Sequence, residues 1–168
     1  MRAKKILLGA SLIAAFFTTL NAKGVNPILA MLNTQEKFFV VEREDESLAI
    51  IEQGMTKGYL TGVHNMNHGV VKFYDKDGYV ISRDGYIVKF DPEAEKILKE
   101  RKTSDSAIGF TVAKNYIAVA NYAKKSVDVL DRDLNPIESF ETGSKNVGIK
   151  KYKNYPVSYT HLTLPTKR

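Results

Sequence analysis

HGVVKFYDKDGYVISRDGYIVKFD, residues 68–91, decides how this chain folds. β-Branched and aromatic residues cluster at 70–74, 79–83 and 86–91, with Asp-Lys-Asp-Gly and Arg-Asp-Gly between them. Short runs broken in this way read as antiparallel strands joined by tight turns, because Gly accepts positive φ and Asp hydrogen-bonds its own turn. A further run at 97–102, ILKERK, predicts a fourth strand, so the unit is a meander of strands A to D.

The same unit recurs on both sides. FVVERE at 39–44, YVISRD at 79–84 and IAVANY at 117–122 align, as do LAIIE at 48–52, IVKFD at 87–91 and VDVLD at 127–131. The period is about 40 residues, that of four-stranded propeller blades. The repeat predicts an all-β fold, a partial β-propeller with fewer than three four-stranded blades, preceded by a signal-peptide helix; the complete ring is expected to be eight-bladed, a number the period itself does not set. Rings close with about 4 to 8 blades, so this stretch is read as a truncated propeller over 36–155.

The ends differ from the repeats. Arg2, Lys4 and Lys5 precede an apolar run at 6–20 and a small residue, Ala22, which reads as a signal peptide over 1–22 followed by a short segment, 23–35. The run is shorter than the roughly 20 residues of a spanning helix, so export is expected without a stable membrane span. VSYTHLTLPT at 157–166 resembles the translation of a transposon-end sequencing adapter, and 156–168 is read as a non-native tail, which removes His161 from consideration.

The net charge of +6 owes five cations to these ends, Lys167 and Arg168 being the other two. The body is nearly neutral, which leaves no electrostatic footprint for a nucleic acid. The chain has no cysteine, hence no disulfide, thiolate metal site or C-x-x-C-H heme attachment within it.

In a meander the B to C turns and the D to A crossovers leave by one end of the sheets. That end collects Arg43 with Glu42, Arg83 with Asp84 and Gly85, Asn121 with Tyr122, and, from the crossovers, His64, Asn67, His68, Ser106, Lys145 and Asn146. The A to B turns, such as 75–78, look like generic hairpins. A rim with a histidine and several guanidinium or amide donors suits a flat, carboxylate-bearing cofactor, since Arg grips carboxylate bidentately and imidazole ligates iron. His68, at the start of an innermost strand, is the best iron-ligand candidate. The plainer readings are turn-stabilising pairs for Arg43 and Arg83 and a solvated loop residue for His64. His64 and His68 lack an evident third ligand for zinc.

VVEREDESLAIIE, HGVVKFYDKDGYVISRDGYIVKFD, SAIGFTVAKNYIAVANYAKKSVDVLD and GSKNVGIK, in this order and spacing, resemble the cytochrome cd1-type heme d1 propeller family. The chain is most similar to the members that serve heme d1 biogenesis, because the first blade starts soon after the signal with no cytochrome c domain before it. The resemblance implies a periplasmic protein that binds heme d1 or its dihydro-heme d1 precursor. It would assist late maturation, by binding alone or through an oxidoreductase-like step, alongside other heme d1 maturation proteins and the cd1 nitrite reductase. It marks His68 as the catalytic candidate and possible iron ligand, and Arg43 and Arg83 as contacts to tetrapyrrole carboxylates, with Asn121, Tyr122, Lys145 and Asn146 completing the cofactor-binding set. The alternatives are a generic exported propeller of the YVTN type that binds protein or envelope components, and the d1-domain fragment of a cd1-type nitrite reductase.

Overall fold

A computed structural model describes residues 36–145, 148–153 and 155–159. The expected signal peptide and most of the expected tail lie outside these residues. Every strand pairing is antiparallel, and no described residue is helical. Among the described residues no helix is long and apolar enough to cross a membrane.

The first sheet joins β1 (Lys37–Glu42), β2 (Ser47–Glu52) and β3 (Met55–Leu60). The second is β4 (Val70–Tyr74), β5 (Asp77–Ile81), β6 (Tyr86–Asp91) and β7 (Lys96–Lys102), in that order. The third repeats the pattern with β8 (Ala107–Val112), β9 (Ile117–Asn121), β10 (Ser126–Leu130) and β11 (Pro136–Glu141). A last pair is β12 (Gly148–Tyr152) and β13 (Tyr155–Tyr159). β13 crosses the boundary drawn in the sequence at Tyr155.

β4, β8 and β12, which open successive sheets, adjoin one another, so the sheets are blades about a shared axis with those strands innermost. Strand B of the second blade ends at Ile81 rather than at 83. Ser82 bends the chain there: its N–H donates to the Tyr86 carbonyl at 2.8 Å, and its Oγ accepts from the Tyr86 N–H at 3.0 Å.

Successive side chains on a strand face opposite ways, so a central blade must be apolar on both faces. Val80, Val88 and Phe90 meet Leu48, Ile50, Leu60, Val63 and Met66 of the first blade. Tyr79, Ile81 and Ile87 turn the other way, onto Phe110, Ile117, Val119 and Leu130 of the third. That two-sided burial explains why YVI and IAVA read as unbroken apolar runs. The outermost strands β7 and β11 carry Lys96, Lys99, Glu100, Glu138 and Glu141, charges that discourage pairing at a free sheet edge.

The A to B turn of the second blade is not a generic hairpin, as the sequence suggested. Asp77 is buried, and its Oδ2 lies 2.8 Å from Arg132 Nη2 and 3.3 Å from Lys89 Nζ. Tyr79 donates its hydroxyl to the Arg132 carbonyl at 3.1 Å, and burial pushes its phenol above the usual range. Asp77 thus pins the second blade to the third at the end of the sheets remote from the B to C turns.

Candidate functional site

The register decides which loops share an end. Val70 pairs with Ile81, so the residues leading into β4 leave the sheet beside those that follow β5. Likewise Glu42 pairs with Ser47, and Asn121 with both Ala107 and Ser126. Arg43, His68, Arg83, Asn121, Tyr122 and Lys145 therefore stand at one end of the sheets. Asn146 lies outside the described residues.

Arg83 sits in a turn locked from two sides. Its N–H donates to the Asn65 carbonyl at 2.8 Å, and the Gly85 carbonyl accepts from Thr103 N–H at 2.8 Å. Asp84 Oδ1 accepts the Asn65 N–H at 3.3 Å, and no ion pair joins Asp84 to Arg83 among the described residues. The guanidinium lies 5.4 Å from the centroid of the Tyr122 ring, and Lys145 Nζ lies 4.8 Å from the same ring. Three expected site residues from three different loops are thus assembled around one aromatic face, which attracts cations through its quadrupole.

Arg83 Nη1 is buried without a hydrogen-bond partner among the described residues. The hydroxyls of Ser47 and Ser106 share that condition, and both stand at the same end, one opening β2 and the other preceding β8. Buried polar atoms in folded proteins are nearly always satisfied by protein or by ordered water, so three such atoms at one end of the sheets set that end apart. The Ser106 carbonyl accepts the Tyr122 N–H at 2.8 Å, which ties that crossover to the Arg83 cluster.

The other expected residues stand apart. Asn121 is fully buried below the rim, its Oδ1 accepting from Thr103 Oγ1 at 2.8 Å and its Nδ2 donating to Ser126 Oγ at 3.2 Å. Arg43 is exposed and forms no ion pair with Glu42 among the described residues. His68 is exposed, with φ +64°, immediately before Gly69 and β4. A Cβ at Gly69 would come within 3.3 Å of Val41 Cγ1, so the His68 loop abuts the end of β1. Among the described residues no side-chain contact links His68 or Arg43 to Arg83.

Lys72 was not singled out in the sequence. It lies on the innermost strand β4, donates to the Phe110 carbonyl and sits 5.3 Å from the Phe110 ring centroid. Burial, and after it the charge of Lys150 on β12, holds its pKa below the ordinary lysine range. The only sequence signal was a lysine in an otherwise apolar strand, VVKFY. A cation there and a guanidinium at the rim bias this part of the molecule toward anionic ligands.

Residues 32–157 match the family model of the cytochrome D1 heme domain. The chain belongs to that family. Among solved structures this cytochrome D1 heme domain is similar to dihydro-heme d1 dehydrogenase NirN in complex with DHE, at 21% identity and TM-score 0.62, covering 70% of this chain and 28% of that one. Hydrazine synthase of Kuenenia stuttgartiensis is similar at 15% identity and TM-score 0.58, covering 67% of this chain and 35% of its own. The WD40 β-propeller domain of Doa1 is similar at 14% identity and TM-score 0.58, covering 71% of this chain and 42% of its own. At such identities the likeness shows the fold, and the chain spans well under two thirds of each. No curated protein matches it.

Proposed function

We propose that this chain is part of a periplasmic heme d1-binding propeller of the NirF type, which holds heme d1 or dihydro-heme d1 at its cationic rim and assists late heme d1 biosynthesis for nitrite reductase. The observation that carries the reading is the Arg83 guanidinium gathered with Lys145 around Tyr122, its Nη1 without a hydrogen-bond partner among the described residues. A planar guanidinium offers two parallel donors, which match a carboxylate, and the macrocycle of a d1-type heme carries several carboxylates. Membership of the cytochrome D1 heme domain family supports the ligand class. The basic start and apolar run at 6–20 support export.

In this reading Arg83 and Lys145 bind carboxylates, Tyr122 offers an aromatic edge, and exposed His68 is the candidate to meet the iron. Arg43 adds a cation from the neighbouring blade. The bound tetrapyrrole would supply the redox chemistry, and the protein would supply position and charge.

Visible absorption titration of the full chain with ferric heme d1 tests the proposal. Wild type should bind, Arg83→Ala should weaken binding by about 10- to 100-fold, the scale of one lost charged hydrogen-bonding contact, and His68→Ala should bind with altered bands. Failure of the wild type to bind sinks the tetrapyrrole reading. An unchanged spectrum for His68→Ala removes His68 as the ligand.

A further inference from the structure

The crossover between β3 and β4, residues 61–69, is fastened at several points. Met66 is fully buried among Val63, Leu60 and Phe90 of the core between the first two blades. Asn65 is tied to the Arg83 turn by its carbonyl and its N–H. Asn67 N–H donates to Asn65 Oδ1 at 3.0 Å, and Gly69 N–H donates to the Met66 carbonyl at 2.8 Å, which closes the turn that presents His68.

The other half of the crossover has a different fastening. Gly62 is in the left-handed region, at φ +78°, and Thr61 and Gly62 are exposed. His64 is also left-handed, at φ +64°, a conformation that costs a non-glycine residue about 1 kcal/mol or more. Its ring nevertheless lies flat on Tyr86 of β6, with centroids 3.8 Å apart and planes 9° apart, and its Nε2 is 2.9 Å from Glu100 Oε2 on β7. One side chain therefore clamps the loop to two strands of the second blade, and the clamp offsets the backbone strain.

We infer that His64 is a positioning residue: by stacking on Tyr86 and pairing with Glu100 it holds the crossover in the one pose that presents His68 and braces the Arg83 turn through Asn65. Its bearing on a cofactor rests on the tetrapyrrole reading above, whereas the clamp itself does not.

The full chain carries the test in two measurements, with His64→Ala, His64→Phe and His68→Ala compared with wild type. Amide hydrogen exchange should quicken at residues 65–69 and 83–84 in His64→Ala, stay unchanged at 117–121, and recover in His64→Phe, which keeps the stack. In the titration with ferric heme d1, His64→Ala should lose about fivefold to tenfold in affinity, the scale of one aromatic pair, and shift its bands toward those of His68→Ala, again with recovery in His64→Phe. Unaltered exchange at 65–69 overturns the clamp. Quickened exchange with full affinity and wild-type bands overturns its role in presenting His68. Quickened exchange in His64→Ala, where the wild-type chain binds no heme d1, upholds the clamp and overturns the tetrapyrrole reading alone.

Discussion

Gly85 and Arg83 occupy the same turn for opposite reasons. Gly85 has φ +89°, and a Cβ there would lie 2.0 Å from the Ser104 carbonyl oxygen, so backbone meets backbone with no side chain able to yield. Gly85→Ala should therefore lower stability by about 2 kcal/mol or more, read as a reduced urea midpoint. Arg83 has a side chain that contributes a buried donor with no partner among the described residues, so its removal should alter ligand binding and leave that midpoint nearly unchanged. The Arg-Asp-Gly turn was legible in the sequence because its chemistry is local. Asp77 was not, since nothing in Asp-Lys-Asp-Gly separates a solvated turn aspartate from one buried 2.8 Å from an arginine fifty-five residues later. Arg83 was legible as a rim residue, while its escape from pairing with Asp84 depends on Asn65, which arrives from another loop.

The blades repeat because each element carries its own instructions. The acidic residue at the close of strand C, Asp91 as the last residue of β6 and Asp131 just after β10, recurs in the sequence, and the structure gives the reason. Asp91 Oδ1 accepts the N–H groups of Glu93 and Ala94, both at 2.9 Å, and Asp131 Oδ1 accepts those of Asp133 at 2.9 Å and Asn135 at 2.8 Å. The Ala94 backbone bond chiefly holds the Asp91 carboxyl below the ordinary range, and the Asn135 side chain chiefly does so for Asp131. A carboxyl with a lower pKa in the folded state contributes stability that is fully present above its unfolded value and is lost as pH falls through the folded value. The paired substitutions Asp91→Asn and Asp131→Asn keep an acceptor oxygen but remove the titration. They should flatten the decline in melting temperature below about pH 4, measured by circular dichroism, while the neutral-pH melt changes less. Strand boundaries were legible to within two residues where a turn residue marked them. The pairing of blade with blade was not, because complementarity between Tyr79 and Ile117 or between Ala118 and Ile149 lies in shape rather than in residue type.

At the scale of the whole molecule, the described blades differ in how their faces are covered. The register places Phe38 opposite Ile51, and Val40 opposite Ala49, which in turn meets Tyr59, so these residues share the face of the first sheet turned away from the second. Phe38, Val40 and Tyr59 are 38%, 40% and 57% exposed. In the last pair, Tyr152 stands opposite Tyr155 and Lys150 opposite Val157, and Tyr152, Tyr155 and Val157 are likewise exposed. On the opposite faces Leu48, Ile50 and Leu60 of the first sheet and Ile149 of the last pair are buried. Two apolar sheet faces of this kind bury more area by meeting each other or a second copy than by remaining in water, a gain of about 25 cal/mol per Å². The chain should therefore self-associate as its concentration rises, and light scattering after size exclusion should show a mass that grows across the micromolar range. Replacing Phe38 and Tyr59 with Ser should shift that growth to higher concentration and leave the Arg83 cluster, on another surface, with its ligand response intact. A monodisperse wild-type monomer throughout the range would overturn the reading of these faces as associating surfaces.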